Sequence, residues 1–142
     1  MSIAQIIRGR DRPVVSCNAR HSVQEAAALL AEQRIGALPV VDGEKVAGVF
    51  SERDLLYCVA REGADALHRA VGEVMTSPAI TIEPEADVLK ALSLMSRRRI
   101  RHLPVVDGER MVGFISIGDL VKYRIDRIEF EAQQMRDYIT AA

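Results

Sequence analysis

Two four-residue stretches could do chemistry: Ser51-Glu52-Arg53-Asp54 and Ser116-Ile117-Gly118-Asp119. Each sets a hydroxyl three residues ahead of a carboxylate, just before an apolar run. Locally this is a capping box, in which the serine and the acid satisfy free backbone N–H groups. The same geometry has a second use. A helix N-terminus offers N–H donors and a positive dipole end to a phosphate, and a carboxylate beside it can accept both hydroxyls of a ribose. No Ser–His–acid or Cys–His–acid spacing supports nucleophilic catalysis, so no enzyme is expected. His21 and His68 lack a ligand-spaced partner and read as surface histidines rather than metal ligands. Cys17 and Cys58 form no CxxC pair and read as small buried hydrophobes in a reducing cytoplasm.

The elements that position these stretches come in duplicate. The seven residues LPVVDGE stand at Leu38–Glu44 and again at Leu103–Glu109. A shift of 65 positions lays Arg34–Leu56 on Arg99–Val121 with thirteen of 23 residues identical. Upstream, Pro13 falls on Pro78 and Val23 on Val88. IAQII resembles VGEVM once a three-residue insertion is allowed in the first copy. Each copy predicts the same order. A short apolar strand (PVVSC, then PAITI) precedes a helix. In copy one that helix starts at a Ser22…Glu25 capping box and carries the stripe Val23, Ala26, Ala27, Leu30. Copy two has Val88, Leu92 and Met95 in the same role. LPVV and KVAGVF then form a hairpin around DGE, and a last helix follows Ser51 or Ser116. A unit this small leaves one sheet face wet, so two copies should pack face to face. The fold class is α/β: tandem β-α-β-β-α units with pseudo-two-fold symmetry plus a C-terminal helix. The expected divisions are residues 1–65, 66–123 and a helical extension over 124–142.

The doubled signature h-P-V-V-D-x-x-x-x-h-G-h-h-S-x-x-D-L resembles the CBS domain in its paired form, the Bateman module, over roughly Ser2 to Tyr123. The resemblance implies a regulatory module that binds an adenosine-containing ligand such as AMP, ADP, ATP, NAD(H) or S-adenosylmethionine in two inter-repeat clefts. It further implies that Ser of S-x-x-D touches phosphate and Asp grips ribose. Many members are appended to enzymes, channels or transporters. This chain reads as a stand-alone pair with an unknown effector. No cofactor is required beyond the nucleotide, and Mg²⁺ is left open.

The copies differ most usefully where Gly36-Ala37 is replaced by Arg101-His102 and where Arg53 is replaced by Gly118. In similar modules the first pair of positions faces the nucleotide. Small residues leave room, whereas Arg and His reach phosphate. Arg53 stands in a first helical turn, against the dipole. Glu52 and Asp54 would neutralise it, or a bound anion would. The expected cleft A joins Ser51, Arg53 and Asp54 to Thr76, Ala79, Ile80, Arg101, His102 and Pro104. The expected cleft B joins Ser116 and Asp119 to Val14, Val15, Gly36, Ala37 and Pro39, with little positive charge. Cleft A should therefore take a phosphorylated ligand first. Gly48 and Gly113, inside strands, mark either a packing point or a close approach by something else.

Composition bounds the alternatives. The 142 residues are 49% hydrophobic and carry a net charge of −1 with 4% aromatics and no Trp. That argues against a general nucleic-acid field or a base-stacking surface. The run SRRRIRH (96–102) reads as a helix end rather than a nucleic-acid patch, Arg99 matching Arg34 as a fold residue. No membrane-length apolar run occurs, and MSIAQIIRGRD turns polar too early for a secretory signal. Val121, Ile125, Ile128, Ala132, Met135 and Ile139 repeat in steps of four and three, a heptad seam that fits a homodimer contact or a fold-back onto the domain. The competing function is a dimerisation scaffold with vestigial ligand sites.

Overall fold

A computed structural model describes residues 2–10 and 12–141; Met1 and Asp11 of the expected first division and Ala142 of the extension lie outside the described residues. The order is α1 (Ile3–Arg8), α2 (Val23–Gln33), β1 (Ala37–Asp42), β2 (Lys45–Ser51), α3 (Glu52–Glu62), a 3-10 turn (Gly63–His68), α4 (Val71–Val74), α5 (Val88–Arg98), β3 (His102–Asp107), β4 (Arg110–Ser116) and α6 (Ile117–Ala141). Helix α2 begins at Ser22, whose hydroxyl accepts the Glu25 N–H while Glu25 reaches back. Asp87 caps α5 through the Lys90 N–H. Both helices stop at an arginine in the left-handed region, Arg34 and Arg99, each with φ of 53°.

The two hairpins share one register. Val40 faces Gly48 and Val105 faces Gly113, with a bulge at the next step of each. The turns place Gly43 and Gly108 at positive φ, which favours glycine. The expected leading strands are reduced to single bridges: Cys17 beside Val40 and Ile82 beside Val105, both parallel. The cause lies in the hairpins. The Cys17 N–H donates to the Pro39 carbonyl and the Val41 N–H to the Cys17 carbonyl. A further rung toward Val15 would need an N–H from Pro39, which proline does not have. Pro104 stops the Ile82 ladder in the same way.

Two cores result. One gathers Cys17, Val23, Ala26, Leu30, Leu38, Val40, Phe50, Cys58, Ala66 and Val71. The other gathers Ile82, Val88, Ala91, Met95, Leu103, Val105, Ile115 and Leu120, and it is completed by Ile3 of α1. The N-terminal helix thus packs on the second copy, held by Ile3 N–H to Ala86 and Ala4 N–H to Pro84 carbonyls. The chain crosses from the second core to the first after α1, and back after Met75. Cys17 and Cys58 are both free and buried, and burial pushes the Cys17 thiol up to about 11. The hairpin turns meet across the pseudo-two-fold axis. The Met111 N–H donates to the Glu44 carbonyl, and Lys45–Glu109 (3.2 Å) mirrors Arg110–Glu44 (3.8 Å). These pairs are exposed and each contributes at most about 1 kcal/mol.

Gly48 and Gly113 mark close approaches. A Cβ on Gly48 would sit 2.7 Å from the Thr76 carbonyl oxygen and 2.8 Å from Met75 Sδ. For a Cβ on Gly113 the nearest atoms are instead those of the Ile7 side chain, the first at 2.8 Å. Backbone cannot yield as a side-chain tip can. Gly48→Ala should therefore cost about 1–3 kcal/mol and Gly113→Ala distinctly less, measured by urea unfolding. Equal losses would show that the crossover at Thr76 is freer than this packing implies.

Candidate functional site

Both capping boxes form. Ser51 Oγ accepts the Asp54 N–H, and Asp54 Oδ2 accepts the Ser51 N–H (2.8 Å) and hydroxyl (3.0 Å). Asp119 Oδ2 accepts the Ser116 N–H (2.7 Å), and Ser116 Oγ accepts the Asp119 N–H (3.1 Å). Each box opens onto a cleft between the copies. Beyond the boxes the two clefts are unlike.

Cleft A, about 350 Å³, is lined by Ser51, Glu52, Arg53, Asp54, Tyr57, Thr76, Ala79, Ile80, Arg99, Ile100, Arg101 and His102, with Gly36, Ala37 and Val49. The structure thus brings together the residues expected here, except Pro104. Residues of α3 from copy one face the approach to β3 from copy two. The Asp54 carboxylate is fixed from both sides, its Oδ1 accepting the Thr76 hydroxyl at 3.0 Å. Arg53 donates to the Arg99 carbonyl at 3.4 Å. It spans the cleft to the C-terminal cap of α5, where a cation is favoured, rather than pairing with Glu52 or Asp54. Arg99, expected to serve the fold, does so and more. Its backbone is the left-handed cap, and its side chain lines the cleft. Tyr57, absent from the expected lining, joins it from one turn beyond Arg53 on α3.

Cleft B, about 650 Å³, is lined by Val14, Val15, Gly36, Ala37, Ser116 and Asp119 as expected, but also by Arg10, Arg12, Gln33, Arg34, His102 and Phe114. The expectation of little positive charge is overturned. Arg10 and Arg12 belong to the insertion that distinguishes the first copy, and α1's docking on the second core carries them into the cleft. Arg10 ion-pairs with Asp119 and donates to the Phe114 carbonyl at 2.7 Å. It therefore stands where Thr76 stands in cleft A, on the carboxylate of the opposite copy. The insertion itself was the available signal. Pro39 and Pro104 line neither cleft. Both are buried in strands, and their carbonyls accept the Cys17 and Ile82 N–H groups.

The room left by Gly36 is bordered by His102 of the second copy. A Cβ there would lie 3.5 Å from His102 Cε1. The imidazole stacks on Phe114 with centroids 5.5 Å apart and lines both clefts. Burial is the main reason its pKa falls below the usual 6.5, and Arg101 adds to this. Asp119 and Glu52 pull the other way. For Asp119, burial opposes ionisation, yet the Ser116 N–H and Arg10 together hold its carboxyl below the ordinary 3.8. Among the described residues no group of three or more His, Cys, Asp or Glu side chains gathers as a metal site.

A depressed histidine pKa makes the unfolded chain the better proton acceptor as pH falls through about 6.5. The stability contributed by neutral His102 is complete above that value and drains below it. The Asp119 contribution is lost only at lower pH, as its depressed carboxyl protonates. Urea unfolding from about pH 7 to about pH 5.5 should show falling stability, and His102→Gln should flatten that slope. An unchanged slope would place the proton elsewhere.

With this geometry in hand, the chain can be set beside known proteins. The CBS domain family matches twice, over residues 4–61 and 71–126. The CBS domain-containing protein CBSX3, mitochondrial, of Arabidopsis thaliana is 35% identical over 128 residues, which take in 87% of this chain and 62% of CBSX3. A CBS-domain protein of Burkholderia ambifaria superposes with a TM-score of 0.82 at 38% identity, covering 89% of this chain and 95% of that one. The CBS domain protein PAE2072 of Pyrobaculum aerophilum, complexed with AMP, gives 0.74 at 30% identity, covering 84% and 89%. The duplicated hairpins, the paired capping boxes and these matches have one reading: the chain belongs to the CBS-domain family and carries two CBS domains.

Proposed function

We propose that this protein is a regulatory module that senses an adenine nucleotide, AMP or ATP foremost, in its inter-repeat clefts. The observation that carries the reading is cleft A. One groove of about 350 Å³, within the roughly 300–1,000 Å³ of small-molecule sites, presents a helix N-terminus, a pre-oriented carboxylate and three guanidiniums. The α3 N-terminus and Arg53, Arg99 and Arg101 suit phosphate, and Asp54 suits ribose hydroxyls. Thr76, Ala79 and Ile80 supply an adenine wall. The AMP complex of PAE2072 supports the ligand class. The ligand acts as a signal, not as a resident cofactor, and Mg²⁺ enters only as a companion of its phosphates. A ligand that touches both copies biases their relative seating when its affinity differs between two arrangements. The output passes through a homodimer to an effector protein. No helix of the described residues is long and apolar enough to cross a membrane, and the proposed compartment is the cytoplasm.

A thermal-shift panel of AMP, ADP, ATP, NAD, NADH, S-adenosylmethionine and cyclic dinucleotides tests the reading. AMP or ATP should raise the Tm, and Arg101→Ala or Arg53→Gly should weaken binding by about tenfold or more, as expected for a lost charge-assisted contact. Asp54→Ala combined with Asp119→Ala should abolish the shift. A wild-type chain that no nucleotide stabilises is a scaffold, not a sensor.

Cleft A fills first because Thr76 leaves its carboxylate approachable, whereas Arg10 covers Asp119. In cleft B a ribose must displace that guanidinium. Calorimetric titration of Arg10→Ala with adenosine should therefore reveal a second binding equivalent that the wild-type chain lacks. One equivalent in both proteins would remove Arg10 from this role.

A further inference from the structure

We propose that the C-terminal part of α6 pairs with the same helix of a second copy, parallel and in register. This rests on the homodimer in the proposed function but not on nucleotide binding. Of α6, only Leu120 is buried in the domain, so a fold-back onto the body is not what the helix does. Its seam stands open: Val121 is 44% exposed, Ile125 50%, Ile128 50%, Met135 60% and Ile139 65%. With Ala132 these residues recur in alternating steps of four and three. Ile125, Ala132 and Ile139 take the a positions of a heptad, and Val121, Ile128 and Met135 take the d positions.

An exposed stripe alone does not name its partner. The flanking charges do. The g positions hold Arg124 and Glu131, and the e positions hold Lys122, Glu129 and Arg136. In a parallel, in-register pair each g side chain faces the e side chain five residues on in the other helix. Arg124 then meets Glu129 of the second copy, and Glu131 meets Arg136. Both contacts are opposite in sign and each occurs twice by symmetry. Antiparallel pairing over the same span sets e against e and g against g. It opposes Lys122 to Arg136, Glu129 to Glu129 and Glu131 to Glu131, all like-charged. One orientation is thus favoured and the other penalised by the same residues. The in-helix contacts do not compete: Glu131 to Arg127 at 3.4 Å and Arg136 to Gln133 at 2.6 Å lie on exposed side chains. Phe130 falls outside the seam, where the Arg127 guanidinium lies 5.8 Å from its ring centroid.

The full chain tests this by sedimentation and cross-linking. Cys17 and Cys58, 2% and 0% exposed, leave introduced thiols as the reactive ones. Wild type should be dimeric, and Ile139→Cys should cross-link to itself under mild oxidation. Ile128→Glu should weaken dimerisation by at least about tenfold. Arg124→Glu should weaken it by about tenfold and Arg124→Glu with Glu129→Arg should restore it. Cross-linking only in a mixture of Val121→Cys and Ile139→Cys chains would overturn the parallel orientation. A dimer indifferent to Ile128→Glu would overturn the seam while leaving the homodimer standing on another face. A wild-type monomer at every concentration would overturn both.

Discussion

The second half of this molecule does not close its core within a contiguous stretch of chain. Its core needs Ile3 from the first copy, whereas the first core closes between Val15 and Met75, so the chain must pass between cores twice. Those two passages set the chemistry. The first brings Arg10, Arg12 and Val15 to cleft B, and the second, from Thr76 to Ile80, runs along cleft A. Each passage is held short of becoming a full strand because Pro39 or Pro104 offers no N–H for another rung. The proline that ends the ladder leaves Val15 and Ile80 as cleft wall instead of sheet. Packing of α1, hydrogen-bond accounting in the hairpins and the shape of both grooves are therefore one constraint.

That constraint explains why two nearly identical half-sites differ. The capping boxes are equivalent to within a few tenths of an ångström in their serine–aspartate contacts. What approaches each carboxylate is decided by the passage. A threonine hydroxyl reaches Asp54, and an arginine reaches Asp119. A hydroxyl can turn away at little cost, whereas removing a guanidinium from a half-buried carboxylate forfeits a charge-assisted contact. His102 then links the two sides, because one ring forms part of both walls. An anion in either cleft would favour its protonated form. The Asp119 and Glu52 carboxylates already pull toward that form, and burial with Arg101 resists it.

The fold was largely legible because it is written twice. Periodicity gave α2 and α5, the Asp-Gly pair gave the hairpin turns, and the S-x-x-D boxes gave the starts of α3 and α6. The leading strands were misjudged, since an apolar run says nothing about whether its neighbour can supply donors. Most residues expected to meet in cleft A do meet there, because the resemblance to paired CBS domains implied the cross-repeat arrangement. Cleft B was read less well. Its arginines enter through α1's docking on the distant copy, a contact that no local pattern announces. Comparing the copies residue by residue exposed Arg101 and His102. Comparing their lengths would have exposed Arg10 and Arg12.

The second capping box links its cleft to the C-terminal helix. S-x-x-D of the second copy is also the first turn of α6, the helix that carries the exposed seam. Asp119 lies one residue before Leu120, the buried anchor of that helix, and two before Val121, the first residue of the seam. Any contact that re-seats Asp119 must move this turn, because its carboxylate is bonded to the backbone that begins it. The helix that starts there is continuous over 25 residues, so a tilt of its first turn would be passed toward the seam. Arg10 is the group placed to control this, since it holds Asp119 from a passage anchored in both cores. A ligand in cleft B would therefore act on α6 through that ion pair, and one in cleft A through His102 and through the Arg101 carbonyl, which accepts the Ile117 N–H at 2.8 Å.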